Sequence, residues 1–286
     1  MFADHVIPFA FEALPVRGEI IYLARAWRRM LRAQDYAPIV KETLGHAAAA
    51  TGLIAQSLKF DGAVTMQIQG AGDLRMLVMQ CTSELELRGM ATEAEPVTAR
   101  SFDELMQQAH CAITVDAGDR PYQGIVEVRS ESLGASLENY FERSVQLPSH
   151  VALVSDTALA GGLLLQQMPG QTIDADDWNR LGYLAATLSA DDFPSASGLD
   201  LIAKLFSEDD VRVFKARPVS FRCRCSKQRT DEVLRMLGEA EVRGVLREQG
   251  RVEITCEYCG RRRRYDAVDV SRIFADNVVS GPDRLM

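Results

Sequence analysis

The sequence predicts an α+β fold with a large N-terminal α+β domain, a helical linker and a small C-terminal domain organised around cysteines. Segments with two-residue periodicity follow one another over the first 170 residues, with only a few helical stretches between them. Short helical segments come next, and four of the six cysteines lie after residue 220. We place the domains at 1–170, 171–217 and 218–286.

The N-terminal domain is predicted to be rich in strands. Val64, Met66 and Ile68 alternate with polar residues, as in a strand with one buried face. An alanine-rich helix is predicted to end at the Asp61-Gly62 turn, and an amphipathic helix has Leu137, Tyr140 and Phe141 on one side. Strands are predicted at 16–24, 63–70, 74–80, 84–91, 111–118, 124–130 and within 157–173, and helices at 25–34, 37–60 and 134–144.

The linker is predicted to consist of two helices that depend on the first domain. Helix 172–192 begins with acidic residues and carries an apolar stripe of Trp178, Leu181, Leu184 and Leu188, and a shorter helix follows at 199–210. These helices carry little apolar surface of their own. We therefore expect them to dock on the N-terminal domain, because short isolated helices are marginal in water.

The composition argues against a nucleic-acid-binding, a secreted or a membrane-spanning protein. The 286 residues are 47% hydrophobic, which supports a sizeable core, and the net charge of −8 argues against a dedicated nucleic-acid binder. The N-terminus lacks the pattern of a signal peptide, and the longest uncharged run, 157–173, is too short and too interrupted to span a membrane. We expect a cytoplasmic protein without a membrane partner, in which clustered cysteines stay reduced and serve as metal ligands or redox sensors.

The cysteines of the C-terminal domain form two close pairs, Cys223 with Cys225 and Cys256 with Cys259. A helix with Thr230 as N-cap and Gly238 as its stop is predicted between the pairs, then a second helix that ends at Gly250. Two strand-like arms flank a Cys-x-x-Cys-Gly turn, which can place two sulfurs on one metal. Two such pairs complete a tetrahedral four-sulfur site, so the sequence predicts one structural Zn²⁺ per chain.

The residues around the cysteines also suit redox chemistry. Residues 221–264 contain 12 Lys and Arg against 7 Asp and Glu, and this positive charge favours the thiolate form that oxidants attack. Cys256 and Cys259 can form a disulfide with little backbone movement. Cys223 and Cys225 are harder to join, because an extended chain separates them by about 7 Å and needs a bend.

Several motifs resemble one known family, the redox-regulated 33-kilodalton chaperonins, or heat-shock protein 33. The resemblance extends over the whole chain, and the two cysteine pairs at this spacing are its most specific element. The motifs are VRGE (16–19), SLKFDG (57–62), YQG (122–124), LENYFERSVQLP (137–148), AGGLLLQQMP (160–169), and Cys-x-Cys followed by CEYCG (256–260).

This resemblance implies an ATP-independent chaperone, a holdase, with a C-terminal zinc-binding redox-switch domain. The reduced, zinc-bound form would be inactive. Under oxidative stress, especially with heat, the disulfides Cys223-Cys225 and Cys256-Cys259 would form, zinc would leave, the C-terminal domain would unfold, and the linker would then loosen. The active form would be a homodimer that holds unfolding or partly unfolded proteins and passes them to ATP-dependent refolding chaperones.

Two other functions stay open at this point. A zinc module could bind nucleic acid through Arg261–Arg264, a run more basic than the family resemblance leads us to expect. A dithiol oxidoreductase could use Cys256 and Cys259, although the surrounding βαβ pattern of such proteins is missing.

Cys81 and Cys111 lie in strand-like segments and are interpreted as buried apolar side chains that fill the core. We find no nucleophile or phosphate-loop motif, so we do not predict an enzyme.

Overall fold

The computed structural model describes residues 3–118, 121–129, 131–193 and 197–275. Ser130, the last residue of the predicted strand 124–130, lies outside them. The fold is α+β, as predicted, and divides into two compact units, Met1–Arg222 and Cys223–Met286. Among the described residues, no helix has both the length and the apolar character needed to cross a membrane.

The described strands of the first unit form two six-stranded sheets. In chain order the strands are β1 His5–Phe11, β2 Val16–Leu23, β3 Ala63–Gln69, β4 Leu74–Thr82, β5 Glu86–Glu93, β6 His110–Asp116, β7 Tyr122–Val126, β8 Ser149–Ser155, β9 Ala160–Gln167, β10 Val211–Val213, β11 Arg217–Pro218 and β12 Ser220–Phe221. The first sheet has the order β10-β1-β2-β9-β8, with β11 also paired to β1. The second has the order β12-β5-β4-β3-β6-β7.

The helices of the first unit lie between these strands in sequence. They are α1 Arg25–Leu31, α2 Pro38–Ser57, α3 Phe102–Leu105, α4 Leu133–Tyr140, α5 Ala175–Ala186 and α6 Gly198–Leu205. A π-helical turn at Phe141–Val145 continues α4, and a 3₁₀ turn at Ala190–Asp192 follows α5. The predicted helices 25–34, 37–60 and 134–144 correspond to α1, α2 and α4 with its continuation.

Helix α2 packs against strands of both sheets and forms the centre of the larger core. Its small residues allow this close packing. A Cβ at Gly45 would lie 2.5 Å from Cβ of Ser155 on the first sheet, and one at Gly52 would lie 2.4 Å from Cδ1 of Ile21. The alternation in β3 is as predicted, because Val64, Met66 and Ile68 are all buried in this core.

Helices α5 and α6 cover the opposite face of the first sheet. Leu181 is buried there in one cluster with Ile20 of β2, and Trp178 stacks on His150 of β8 at 4.2 Å between ring centroids. Arg180 of α5 forms two hydrogen bonds of 2.8 and 2.9 Å with the Asp209 carboxylate. The expected docking of the helices in 171–217 is therefore observed, whereas the bounds of this segment as a linker between two domains stay a prediction.

The second unit contains α7 Lys227–Leu237, α8 Glu239–Gln249, β13 Val252–Thr255, β14 Arg262–Tyr265 and α9 Ala267–Ala275. Gly238 and Gly250 end α7 and α8, as predicted. Thr230 is not the N-cap of α7, so that prediction was wrong. Ser226 is the cap, because its hydroxyl accepts the Arg229 N–H at 3.2 Å, and Thr230 donates back to the Ser226 carbonyl from inside the helix.

We predict that the docking of α5 depends on Leu181. Leu181→Ala should lower the free energy of unfolding of the first unit by about 2–5 kcal/mol, because it leaves a cavity in a closed core. Tyr183→Ala is the matched control, since this side chain of the same helix is 77% exposed. Urea unfolding followed by tryptophan fluorescence measures the difference, because both tryptophans, Trp27 and Trp178, lie in the first unit. Equal effects of the two substitutions would contradict the prediction.

Candidate metal centre

The four clustered cysteines lie at the two ends of the helical part of the second unit. Cys223 and Cys225 come immediately before Ser226, the residue that caps α7. Cys256 and Cys259 form the turn between β13 and β14. The α7–α8 pair separates the two cysteine pairs in sequence, so the fold of this unit has to bring them together.

The turn that carries Cys256 and Cys259 is held by backbone hydrogen bonds. The N–H groups of Cys259 and Gly260 both donate to the Cys256 carbonyl, at 3.3 and 2.8 Å, and the N–H of Cys256 donates to the Arg261 carbonyl at 3.0 Å. Gly260 has φ +66°, a left-handed conformation that glycine adopts without a steric penalty. This geometry directs both cysteine side chains to the same side of the turn.

The four sulfurs converge on one point. All four Sγ atoms lie within 4.8 Å of one another, with Cys223 Sγ to Cys256 Sγ at 3.6 Å and Cys225 Sγ to Cys259 Sγ at 3.5 Å. Four sulfurs at the usual Zn–S distance have edges of about 3.8 Å in a tetrahedron. The cluster therefore fits one tetrahedral cation, and its sulfurs are too far apart to be bonded to one another.

Burial and the neighbouring sulfurs shift the pKa of three of these thiols, Cys223, Cys225 and Cys259. Burial raises the pKa of the Cys223 and Cys259 thiols. Desolvation acts in the same direction at Cys225, but hydrogen bonds from the other thiols outweigh it and lower the pKa of Cys225. Four thiolates cannot share so small a volume without a compensating cation, so the site as built favours a bound metal.

Two arginines of the basic run 261–264 have a structural partner. In the β13–β14 pair, Arg264 lies opposite Glu253 and Arg262 lies opposite Thr255. The guanidinium group of Arg264 is 2.8 Å from the Glu253 carboxylate, and that of Arg262 is 3.8 Å from it. These arginines lower the pKa of Glu253, chiefly through the hydrogen bond from Arg264. The pairing of Glu253 with these arginines was not predicted, although alternate charged positions on two facing strands are the signal for such a pair.

Cys81 and Cys111 are separate from this cluster. Both are buried in strands of the second sheet, and burial raises the pKa of each thiol to about 12. A buried thiol with so high a pKa reacts slowly with oxidants, because the thiolate is the reactive form. Their interpretation as buried filler is confirmed.

Comparisons with known proteins agree with this architecture. A family model described as Hsp33 protein matches residues 4–266. The chain belongs to the Hsp33 family. It is 39% identical to a 33 kDa chaperonin of Methylobacillus flagellatus over 97% of this chain and 96% of that protein. The 33 kDa chaperonin of Nitrosococcus oceani is also 39% identical, over 96% of each chain.

A solved structure has the same fold. The crystal structure of the 33 kDa chaperonin (heat shock protein 33 homolog) from Thermotoga maritima superposes with a TM-score of 0.81 and 22% sequence identity, and the match covers 96% of this chain and 99% of that one. The resemblance read from the motifs is thus confirmed. Membership of the Hsp33 family supports a chaperone function for this chain, and its cysteine cluster is compatible with zinc and with a redox switch.

We predict that the sulfur cluster holds a divalent cation on which the second unit depends. Cys259→Ser should lose the bound metal and, with it, the helical signal of α7–α9, because the unit has few other stabilising contacts. Metal analysis and far-UV circular dichroism of the reduced protein measure both effects. Cys111→Ala is the control and should keep the metal. A variant that lost the metal but kept all of its helix would contradict the coupling.

Proposed function

We propose that this protein is a redox-regulated, ATP-independent holdase, inactive while Cys223, Cys225, Cys256 and Cys259 are reduced and hold one Zn²⁺. The observation that carries the proposal is the convergence of these four sulfurs in a small, separate unit. In this proposal the protein binds other proteins rather than acting as an enzyme, and it works in the cytoplasm, where thiols are normally reduced.

The small size of the apolar core in the second unit supports metal-dependent folding. Among the described residues, the buried apolar residues of this core are Leu234, Val242, Val252, Tyr265, Val270 and Ile273. A core of this size seldom supplies more than about 3–5 kcal/mol. A structural zinc contributes about 10–16 kcal/mol of binding free energy that is coupled to folding. Loss of the metal therefore removes the larger contribution, and we expect the unit to unfold.

Oxidation would remove the ligands. Each disulfide forms as two thiolates give up two electrons, which together with two protons from solvent reduce one peroxide molecule to two water molecules. A sulfur committed to a disulfide is no longer a thiolate ligand, so two such bonds dismantle the site. We propose the pairs Cys223-Cys225 and Cys256-Cys259, each made within one motif, and reduction of both bonds would restore the ligand set.

The helices of the linker would also detach. The face of the first sheet beneath α5 and α6 contains large apolar side chains, among them Ile20 and Leu163. Release of 171–217 would expose this face and the stripe around Trp178 to unfolding or partly unfolded client proteins. In the oxidised state we propose a homodimer, from which clients pass to ATP-dependent refolding chaperones.

Nucleic-acid binding remains the second candidate, but we find less support for it. The arginines at 262 and 264 already pair with Glu253, which reduces the positive charge that the run 261–264 can offer to a phosphate backbone. Binding that weakened steeply with salt would favour this alternative over the holdase.

The chaperone proposal predicts a clear redox dependence. Protein pretreated with peroxide at mild heat should suppress the thermal aggregation of a model client, whereas the reduced, zinc-loaded protein should not. Light scattering measures the aggregation, and re-reduction with zinc should abolish the suppression. Equal suppression by both forms would exclude the switch, and none by either would exclude the holdase.

The proposed disulfides can be tested by peptide mapping. Trypsin cleaves after Arg222, Arg224, Arg251 and Arg261, so Cys223 and Cys225 fall in different peptides while Cys256 and Cys259 share the peptide 252–261. We expect peptide 252–261 to carry an internal disulfide, and peptides 223–224 and 225–227 to be linked to each other. Linkage of either short peptide to 252–261 would instead show pairing between the motifs.

A further inference from the structure

One segment of the first unit connects the edges of its two sheets. Residues 210–222, here called the edge strap, contain the three short strands β10, β11 and β12. The first two pair with β1 of the first sheet and the third with β5 of the second. The strap ends at Arg222, and Cys223 is the next residue in the chain.

On the first sheet, the strap covers β1 through backbone contacts. Val211–Val213 lie opposite Phe9–Phe11, and Arg217 lies opposite Val6. The N–H of Phe214 donates to the Pro8 carbonyl at 2.9 Å, and that of Val219 donates to the Asp4 carbonyl at 3.0 Å. Backbone groups of β1 that would otherwise face solvent are thereby paired.

On the second sheet, the strap adds a parallel strand to β5. The N–H of Ser220 donates to the Leu85 carbonyl at 3.1 Å, and the N–H of Arg222 donates to the Leu87 carbonyl at 3.0 Å. Arg222 also forms an ion pair with the Glu86 carboxylate. The amide of Phe221, between these two donors, points away from β5, because amides alternate along a strand.

Side chains of the strap alternate as in a strand with one buried face. Val219 is 5% exposed and, with Phe221, packs on the larger core, whereas Ser220 between them is exposed. Arg217 donates to Oε1 of Gln56 at 2.9 Å and to the Ser83 carbonyl at 2.7 Å. The sheet edge thus accepts an extended chain with apolar side chains at every second position.

The covering strands are short in comparison with the edges beneath them. β1 has 7 residues and β5 has 8, whereas β10, β11 and β12 have 3, 2 and 2. An uncovered edge of this length is a template for another extended chain. The short strands leave few hydrogen bonds to break before the edges become available.

We propose that the edges of β1 and β5 are binding sites for extended segments of unfolding proteins, and that the edge strap closes them in the resting protein. This inference rests on the proposed holdase function, because loss of structure that starts at Cys223 reaches the strap first. The occupant is an unfolded chain with alternating apolar residues, which supplies the same backbone donors and apolar side chains as 219–222. Such strand addition is an established mode of peptide recognition.

A synthetic peptide of residues 216–222 tests this inference. A fluorescently labelled copy should bind the oxidised full-length protein and not the reduced, zinc-loaded protein, as measured by fluorescence anisotropy. Unlabelled peptide should also displace a client from the oxidised protein. A single N-methyl group on Ser220 or Arg222 should weaken binding by about tenfold, because it removes one backbone donor, whereas N-methylation of Phe221 should change binding little.

A pair of variants tests closure by the strap in the reduced protein. Val219→Asp places a charge in the apolar site and should allow the labelled peptide to bind without oxidation. Ser220→Asp, at the exposed neighbouring position, should not. Zinc content is measured in both, so that release of the strap is separated from loss of the metal. Failure of Val219→Asp to admit the peptide would show that the strap does not close the edges.

The outcomes of these experiments distinguish failure of this inference from failure of the proposed holdase function. If the oxidised protein suppresses aggregation but does not bind the peptide, or binds all N-methylated peptides equally, the inference is overturned and the holdase function stands. If the peptide dissociates an oxidised dimer yet leaves client binding unchanged, the edges bind a second copy of the chain and the inference is likewise overturned. If oxidation produces no suppression at all, the proposed function itself fails, whatever the peptide does.

Discussion

The convergence of four sulfurs is the constraint on which the second unit depends. Cys223 and Cys225 lie before α7, and Cys256 and Cys259 lie after α8, so one cation bound by all four joins both ends of the helical segment. The strands of this unit have four residues each, and its buried core is small. Such a unit cannot offset the conformational entropy of its chain by apolar burial alone. For this reason we propose that its fold depends on the chemical state of its cysteines.

The two faces of the first sheet are covered by packing of different extent. Toward α2, the sheet shares a continuous core with the second sheet, and close contacts at Gly45 and Gly52 leave no space for rearrangement. Toward α5 and α6, the cover consists of helices of 12 and 8 residues, held by the cluster around Leu181 and by the Arg180–Asp209 pair. Helices this short have little stability of their own, so they remain ordered only while docked. A switch that acts on this face can leave the larger core intact.

Local patterns in the sequence were sufficient to predict many of the helices and strands and the clustering of the four cysteines, but not the contacts between residues that lie far apart in sequence. The alternation at Val64 and the cysteine spacing are local signals, and the structure agrees with both. Strand β1 was not predicted, because Pro8 interrupts its pattern. The strands of the edge strap were not predicted either, because they are ordered by sheet edges formed elsewhere in the chain. The helix cap was misplaced to Thr230 because Ser226 and Thr230 are both plausible caps by residue type, and only the backbone geometry distinguishes them.

Sulfur distances in the folded unit do not determine which disulfides form. Two Sγ–Sγ distances, 3.5 and 3.6 Å, join cysteines of different motifs, which are 34 and 33 residues apart. If the unit unfolds as its ligands are oxidised, pairing is decided by loop closure in a flexible chain. Closing a loop of about 33 residues rather than one of about 3 costs about 2 kcal/mol more, which favours pairs within each motif. Ring strain in a Cys223-Cys225 disulfide would oppose this preference and would make that bond the easier one to reduce, so the local pairing that we propose could be reversed when reductant returns.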